Sequence, residues 1–177
     1  MDYTCHYNSP LGNITIASDG KALTGLWFEG QKYFAQTLGK ENISGNLPVF
    51  SQATRWLDIY FSGEEPDFTP PLSISNMTNF RRRVCEIMLT IPYGQTMTYG
   101  EIARIIAAET GKESMSAQAV GGAVGHNPIS VIIPCHRVVG TNGSLTGYAG
   151  GIDLKVRLLE LEKTDMTGLF FPKNKST

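Results

Sequence analysis

The chain has 177 residues, of which 41% are hydrophobic and 18% are charged, and its formal net charge is −1. This composition is that of a globular protein large enough for one domain or two small ones, and it excludes an intrinsically disordered chain. Residues 1–6 lack the basic start and apolar core of a signal peptide, and no apolar run approaches the roughly 20 residues of a membrane-spanning helix, so we expect neither secretion nor membrane insertion.

The cysteines indicate the cellular compartment, and the distribution of charge indicates the kind of partner. Cys5, Cys85 and Cys135 are far apart and odd in number, which favours free thiols in a reducing compartment over a disulfide framework, so we expect a cytoplasmic protein. Residues 1–72 carry four basic and eight acidic side chains, whereas residues 73–177 carry eleven basic and eight acidic ones. The weakly basic second part fits a polyanionic partner, and random scatter of charge is the alternative.

The first third of the chain predicts β-structure followed by one helix. Three short strand-like runs are separated by turn residues, and Asp19-Gly20 between the second and third runs is typical of a hairpin. Apolar side chains at helical spacing after Pro48 predict an amphipathic helix. The strand-like runs are residues 3–7, 14–18 and 23–28, and the helix is residues 49–61.

An acidic, proline-rich stretch without periodicity, residues 63–71, follows the predicted helix. Such a composition predicts a linker between domains. We therefore expect two domains, residues 1–72 with the linker at their end and residues 73–177.

The second part is predicted to be mostly helical. Each helix is an amphipathic or apolar run, and the first three have suitable cap or stop residues at their ends. The four helices are residues 78–89 with Asn76 or Thr78 as cap, residues 98–110 ending before Gly111, residues 117–124 with Ser114 or Ser116 as cap, and residues 152–162.

The third of these helices has almost no side-chain bulk, because it contains Ala119, Gly121 and Gly122. Glycine in a helix interior costs roughly 0.8–1.0 kcal/mol relative to alanine, so two in a row call for a reason. One reason is close packing of helices. The other is a thin helix that lies against a nucleic-acid backbone with its N-terminal amides toward phosphate, as the second helix of a helix-turn-helix.

The most informative residues are Pro134-Cys135-His136-Arg137, in an otherwise apolar run over residues 131–139. The β-branched neighbours predict a stiff, buried strand, and Pro134 interrupts its hydrogen bonding just before the sulfur. Cys135 is then either a nucleophile beside a base or a small buried core residue, and the tetrapeptide alone does not decide between them.

Several ordered blocks within residues 80–162 share the pattern of one known family. They are Ile91-Pro92-Tyr93-Gly94, Thr98-Tyr99-Gly100-Glu101-Ile102-Ala103, Ala119-Val120-Gly121-Gly122-Ala123, Asn127-Pro128, Ile133-Pro134-Cys135-His136-Arg137-Val138-Val139-Gly140, Thr146-Gly147-Tyr148-Ala149-Gly150-Gly151, and Lys155 with Leu158-Leu159-Glu160. On these blocks the chain resembles the O6-alkylguanine-DNA alkyltransferases, also called methylated-DNA–protein-cysteine methyltransferases. Residues before the linker resemble this family only in pattern and length.

The resemblance implies an α+β fold, in which a small N-terminal α/β domain of the ribonuclease H-like type precedes a helical, winged helix-turn-helix-like domain for DNA binding and catalysis. It also implies a self-inactivating DNA repair reaction. The alkylated base is flipped out of double-stranded DNA, and the alkyl group of O6-alkylguanine, and also of O4-alkylthymine, is transferred to Cys135. No cofactor is implied, and we expect a monomer.

Five residues take catalytic roles by this resemblance. Cys135 attacks the alkyl carbon, and His136 is the base that takes the thiol proton. Because neighbouring residues on a strand point to opposite faces, a water is expected to bridge Cys135 and His136. Glu162 orients His136, Tyr99 donates a hydrogen bond toward the leaving guanine, and Asn127 ties the recognition helix to the active-site strand.

The resemblance also places six residues at the DNA or the lesion. Two of them depart from the family. Gln118 stands where relatives carry an arginine that inserts into the duplex, and Ala149 stands where serine is frequent, although its backbone amide can still face the O6 atom. The six residues are Gln118, Ala119, Gly122, Thr141, Tyr148 and Ala149.

Two further expectations concern charge and metal. Arg137 pairs either with a phosphate or with an acidic residue of the N-terminal domain, and we expect the internal pair. Some relatives bind a structural metal through N-terminal cysteines and histidines. In this chain only Cys5 and His6 lie in that region, and two adjacent ligands cannot build a four-coordinate site, so we expect no metal.

Two other functions remain open at this point. One is a lesion-binding module without chemistry, but relatives of that type carry tryptophan where this chain has Cys135. The other is a Cys-His hydrolase, which would turn over an ester or amide substrate repeatedly.

Overall fold

A computed structural model of the protein describes residues 1–172. Its first part is a four-stranded sheet of β1 (Asp2–Ser9), β2 (Gly12–Ser18), β3 (Leu23–Phe28) and β4 (Asn42–Ser44). The strand order is β3-β2-β1-β4. The strand β2 runs antiparallel to both β1 and β3, and the short β4 pairs in parallel with β1 at the sheet edge.

The three predicted strands and the predicted hairpin are confirmed. The Asp19 Oδ1 atom accepts hydrogen bonds from the Lys21 and Ala22 N–H groups, both at 2.9 Å, and these bonds close the turn between β2 and β3. The strand β4 was not predicted. Its three residues are all exposed, so no alternation of buried and exposed side chains marks it in the sequence.

Helix α1 (Pro48–Phe61) confirms the predicted helix and packs against β1 and β2. Its buried face consists of the apolar residues that repeat at helical spacing, namely Val49, Phe50, Ala53, Trp56, Leu57 and Tyr60. The proline-rich residues 63–71 contain no helix or strand, but Leu23 at the start of β3 exchanges backbone hydrogen bonds with Pro71 and Ser73. The end of this stretch is therefore fixed to the sheet, and the division into residues 1–72 and 73–177 stays a prediction, with residues 173–177 outside the described residues.

The remaining helices are confirmed. Thr78, not Asn76, caps α2 (Asn79–Leu89). Thr98 and Glu101 form a reciprocal capping box at the start of α3 (Tyr99–Thr110). Ser116, not Ser114, caps α4 (Ala117–Gly125), whereas no side-chain hydrogen bond caps the start of α5 (Ile152–Leu161).

The strand predicted around Cys135 is wrong. Cys135–Arg137 is a 3₁₀ turn, and only the short β6 (Val138–Val139) is extended, in parallel with β5 (Met97–Thr98). Two features bend the preceding residues away from a strand. The Asn127 side chain bonds to Ile129 N–H and Ile133 C=O, and Val131 has a left-handed backbone with φ 71°. The β-branched residues are buried, as their composition predicts, but their composition does not determine whether the backbone is extended.

One hydrophobic core joins the two parts of the chain. It includes Ile14 and Leu57 from the first part and Val84 and Ile133 from the second. Backbone bonds add to this joint, because Leu26 on β3 donates to Pro128 C=O and accepts from Ser130 N–H. Within residues 1–172, no helix has the length and apolar character needed to cross a bilayer.

Candidate active site

The 3₁₀ turn places Cys135 in the interior, where it is only 4% exposed. Burial raises the pKa of its thiol, while the Asn127 amide, the Lys155 charge and the backbone N–H groups of Cys135 and His136 act in the opposite direction. The thiol is therefore mostly protonated near neutral pH. Its use as a nucleophile requires a base that takes the proton during the reaction.

Asn127 connects the end of α4 to the turn before Cys135. Its Nδ2 atom donates to Ile133 C=O at 2.8 Å, and its Oδ1 atom accepts from Ile129 N–H at 3.0 Å. Asn127 is only 5% exposed, so these bonds are shielded from water. They hold the backbone of the residues just before Cys135 in place.

His136 and Glu162 form a buried pair, with His136 Nε2 2.5 Å from Glu162 Oε2. Burial raises the pKa of Glu162, but the hydrogen bonds and charges of His136 and Arg137 outweigh it and lower the pKa to about 2. Because an ionised carboxylate can only accept, Nε2 of His136 must carry the proton. Its Nδ1 atom then holds the lone pair, and no protein atom among residues 1–172 hydrogen-bonds to it.

The protonation state of His136 follows from the same surroundings. Burial lowers its pKa below the ordinary value, the bond and charge of Glu162 raise it, and the charges of Arg137 and Lys155 lower it. The net effect keeps the imidazole neutral near pH 7. A neutral imidazole with a free Nδ1 lone pair, buried next to a cysteine, can act as a general base.

Arg137 makes an internal ion pair, as expected, but its partner was predicted in the wrong part of the chain. Its Nε atom lies 2.7 Å from Glu162 Oε1, and its Nη1 atom donates to Ile91 C=O at 2.7 Å. The partner is therefore a carboxylate just after α5 and not an acidic residue of the first part. With this pairing, Arg137 is directed inward and away from any phosphate.

Tyr99 and Lys155 meet at one backbone carbonyl. The Tyr99 hydroxyl donates to Thr146 C=O at 3.0 Å, and Lys155 Nζ donates to the same oxygen at 2.9 Å and to Val138 C=O at 2.5 Å. Burial lowers the pKa of Lys155 to about 8. Sequence reasoning assigned Lys155 no role in the site. The available signal was a lysine on the apolar face of the last helix, three and four residues before two buried leucines.

A cavity of about 280 Å³ lies between the loop after β3, the helix α4 and residues 147–149. The Tyr148 hydroxyl is buried without a hydrogen-bond partner in the described part of the chain. Gly147 has a left-handed backbone with φ 78°, and a Cβ atom there would lie 2.8 Å from the Tyr99 hydroxyl. Only glycine therefore leaves room for the Tyr99 hydroxyl at this position. The lining residues are Lys32, Tyr33, Gly121, Gly122, Gly125, His126, Gly147, Tyr148 and Ala149.

The lining residues Lys32 and Tyr33 come from the first part of the chain and were not predicted. Lys32 N–H donates to Ala149 C=O at 2.9 Å, and the Tyr33 ring stacks on His126 with 4.0 Å between the ring centres. No local signal identifies these residues, because both contacts join positions that are far apart in the sequence.

The glycines of α4 are not explained by packing within the protein. A Cβ atom at Gly122 would have no neighbour within 4 Å, and one at Gly121 would make only an ordinary contact with Tyr99. Gln118 and Ala119 are exposed on the same helix. Close helix packing is therefore disfavoured as the reason for this composition, which leaves a thin, accessible helix surface.

The remaining predicted site residues fall into two places. Thr141 is exposed in the loop after β6, with its hydroxyl near Gly100 at the start of α3, whereas Tyr148 and Ala149 line the cavity. Cys135, His136, Glu162 and Asn127 are together in the interior. Cys5 and His6 lie on β1, and no cluster of three metal-binding side chains occurs among the described residues.

Comparison with known proteins gives the same family on both parts of the chain. Residues 3–74 match the ribonuclease-like domain of 6-O-methylguanine DNA methyltransferase, and residues 79–164 match its DNA-binding domain. Relatives named methylated-DNA–protein-cysteine methyltransferase include those of Mycobacterium tuberculosis, 45% identical over 90% of this chain and 93% of the relative, and of Methanosarcina acetivorans, 41% identical over 90% and 97%.

Solved structures agree with the sequence relatives. The crystal structure of Mycobacterium tuberculosis O6-methylguanine methyltransferase superposes with a TM-score of 0.76 at 43% identity, over 94% of this chain and 98% of that one. The same organism's protein in complex with DNA gives 0.77 at 43% identity, over 96% and 98%. The predicted fold class is thus confirmed, and the chain belongs to the 6-O-methylguanine DNA methyltransferase family.

Proposed function

We propose that this protein repairs alkylated DNA by direct reversal, transferring the alkyl group of O6-alkylguanine, and also of O4-alkylthymine, to the Cys135 sulfur. Family membership supports the reaction class. The single observation that supports it at the level of atoms is the buried His136, with Nε2 bonded to Glu162 and Nδ1 free, next to a buried cysteine.

The first step of the mechanism moves the thiol proton. His136 Nδ1 takes it from Cys135 through a bridging water, and the resulting imidazolium is stabilised by the Glu162 carboxylate 2.5 Å from Nε2. Cys135 and His136 lie on a 3₁₀ turn and not on a strand, so their side chains need not point to opposite faces. The water is now supported by the free, buried Nδ1 atom.

The second step moves the alkyl group. As the carbon–sulfur bond forms, the bond between the alkyl carbon and guanine O6 breaks, and the electron pair leaves with the guanine. Tyr99 offsets the developing negative charge by donating its hydroxyl hydrogen bond to the base. Because that hydroxyl now donates to Thr146 C=O, it has to exchange one acceptor for another when the base enters. No cofactor is needed.

The product explains why the protein is consumed. A thioether, unlike a thioester, has no easy route to hydrolysis, so the alkyl group stays on Cys135. The protein therefore acts once per molecule.

Double-stranded DNA is the proposed partner, held against α4. The exposed Gln118, Ala119 and Gly122 face the minor groove, where a helix without bulk fits and where base recognition is degenerate. Thr141 contacts DNA near the start of α3, and Tyr148 and Ala149 hold the flipped base in the cavity. A monomer in the cytoplasm, without a metal, remains our prediction.

The two alternatives differ from this proposal in measurable ways. A lesion-binding module without chemistry has no use for a cysteine beside a buried histidine–glutamate pair. A Cys-His hydrolase has a use for it but would release product repeatedly. Incubation with an excess of duplex DNA carrying O6-methylguanine separates the three functions. We expect one methyl group per protein molecule, whereas none at all, or many turnovers without modification of the protein, would contradict the proposal.

A further inference from the structure

Tyr60 connects helix α1, in the first part of the chain, to the catalytic pair in the second part. Its side chain is fully buried, and its hydroxyl donates to Glu162 Oε2 at 2.6 Å. The same hydroxyl oxygen lies 3.4 Å from His136 Nε2. Neither the sequence motifs nor the proposed reaction assigns a role to this residue.

The Glu162 carboxylate accepts hydrogen bonds from four donors. Its Oε1 atom accepts from Arg137 Nε at 2.7 Å and from Gly94 N–H at 3.1 Å. Its Oε2 atom accepts from Tyr60 and from His136 Nε2. Tyr60 and His136 therefore share one carboxylate oxygen, and a change in the bond that Tyr60 donates alters the charge available to His136.

Three aromatic side chains pack around the Tyr60 ring and restrict its movement. Trp56 stacks on it with 5.2 Å between ring centres, and Phe61 and Tyr93 meet it edge to face at 5.3 and 6.3 Å. These contacts keep the hydroxyl from turning to another acceptor without moving α1. The hydroxyl is thus positioned by α1 together with Tyr93 from the second part of the chain.

We propose that Tyr60 is a positioning residue for alkyl transfer, which fixes the Glu162 carboxylate and weakens its pull on His136 so that the imidazole stays neutral with Nδ1 free. This inference rests on the function proposed above. A donor to Oε2 withdraws negative charge from the acceptor that stabilises the imidazolium, so its presence lowers the basicity of His136. The first part of the chain thereby takes part in setting the pH range of the reaction.

Other ionisable groups also face His136 and bear on its protonation. They belong to the 3₁₀ turn and to α5 and its end. Burial already lowers the pKa of His136, and the Tyr60 hydroxyl adds to that direction through Glu162. The groups are Arg137, Lys155 and Glu162.

The test compares single-turnover alkyl transfer against pH for Tyr60→Phe and for the matched control Tyr93→Phe. Both remove one phenol hydroxyl from the same cluster, but the Tyr93 hydroxyl has no hydrogen-bond partner among the described residues. Without the Tyr60 donor, Glu162 holds the imidazolium more strongly. We expect the midpoint of the acidic limb to move up by about one pH unit, with the rate at high pH within about twofold of the parent's, whereas Tyr93→Phe keeps the parent's midpoint.

A second variant should shift the midpoint of the acidic limb in the opposite direction, and it provides a test if Tyr60→Phe does not fold. A monofluorinated tyrosine at position 60 retains the ring and is a stronger donor, so the midpoint should move down. If Tyr60→Phe does not fold, this result decides. An unchanged midpoint in an active protein for either folded variant, or shifts in the reverse directions, would overturn the inference. Failure of the parent to transfer any alkyl group would instead contradict the proposed function itself.

Discussion

The His136 Nε2 atom lies 2.5 Å from the Glu162 Oε2 atom, and both side chains are fully buried. This contact assigns the proton of the neutral imidazole to Nε2, because the ionised carboxylate can only accept. The other ring nitrogen is left as the basic atom. Three further donors, from Arg137, Gly94 and Tyr60, hold the carboxylate in place.

The first prediction concerns the nucleophile. Cys135→Ser should abolish alkyl transfer but leave binding of duplex DNA intact, because a neutral hydroxyl is a far weaker nucleophile than a thiolate. Cys85→Ser is the matched control, because Cys85 is also a buried thiol, with its pKa raised by burial to about 12, but has no part in the proposed reaction. Transfer assays and gel-shift titrations measure both properties. Retained transfer in Cys135→Ser, or loss of transfer in a folded Cys85→Ser, would contradict the assignment.

The second prediction concerns the base. His136→Ala should slow single-turnover transfer at pH 7 by roughly a hundredfold or more and by less at high pH, where the thiol ionises without help. In the parent, the rate should fall as the pH drops below the lowered pKa of His136, because the protonated imidazole cannot accept a proton. His6→Ala, on β1, serves as the control with the parent's profile. A loss in His136→Ala that is equal at all pH values would indicate collapse of the site.

The third prediction concerns Gln118, which stands where relatives carry arginine. Gln118→Arg should tighten binding to duplex DNA by ~1 kcal/mol, the low end for a specific contact in a nucleic-acid interface. The part due to phosphate attraction should fade with added salt, whereas the part due to insertion should persist and favour duplex over single-stranded DNA. Gln52→Arg adds the same charge to an exposed position of α1 and controls for attraction alone.

The companion variant Gln118→Ala tests whether the glutamine itself enters the duplex. An amide is shorter than a guanidinium and has fewer donors, but it can still fill the gap left by a flipped base. Single-turnover rates on duplex DNA should therefore fall in Gln118→Ala. Rates equal to the parent's would show that Gln118 does not act at that gap.

The fourth prediction concerns stability in acid. The pKa of Glu162 is about 2 in the folded protein, against an ordinary 4.5. Such a lowered pKa gives stabilisation that is complete above about pH 4.5 and is lost as the pH falls toward 2, in total about 3 kcal/mol. Glu162→Gln should be less stable than the parent at pH 7 and should lose less stability between these pH values.

Urea unfolding of the parent and of Glu162→Gln over this pH range measures the difference. The comparison between the two proteins isolates Glu162, because the other carboxylates are the same in both. Equal free energies of unfolding at pH 7 would contradict the buried pair.

Much of the fold could be predicted from the sequence, because its elements have clear periodicity or local signals. The three long strands, the helix α1 and the capped helices α2 to α4 follow from apolar spacing and from cap residues such as Thr98 and Ser116. The run before Cys135 was wrongly predicted to be a strand, because β-branched residues can be buried in other backbone conformations as well. Its bends depend on the Asn127 side chain and on a left-handed Val131, which composition does not reveal.

Only some residues of the candidate site could be predicted from the sequence. The catalytic motif could be found from its order along the chain, but the residues that complete the site come from distant positions. Tyr60 and Tyr33 lie in the first part of the chain, in ordinary helix and loop contexts, and only tertiary contacts bring them to Glu162 and to the cavity. Lys155 had a weak signal, a charge among buried leucines of one helix face.

The most direct test of the central claim is mass spectrometry of peptides after incubation with duplex DNA carrying O6-methylguanine. The account predicts a single methyl group, located on the peptide that contains Cys135, in an amount equal to the guanine restored in the DNA. Cys135→Ser treated in the same way should carry none. Restored guanine with an unmodified Cys135 peptide, or a methyl group on Cys5 or Cys85 instead, would contradict it.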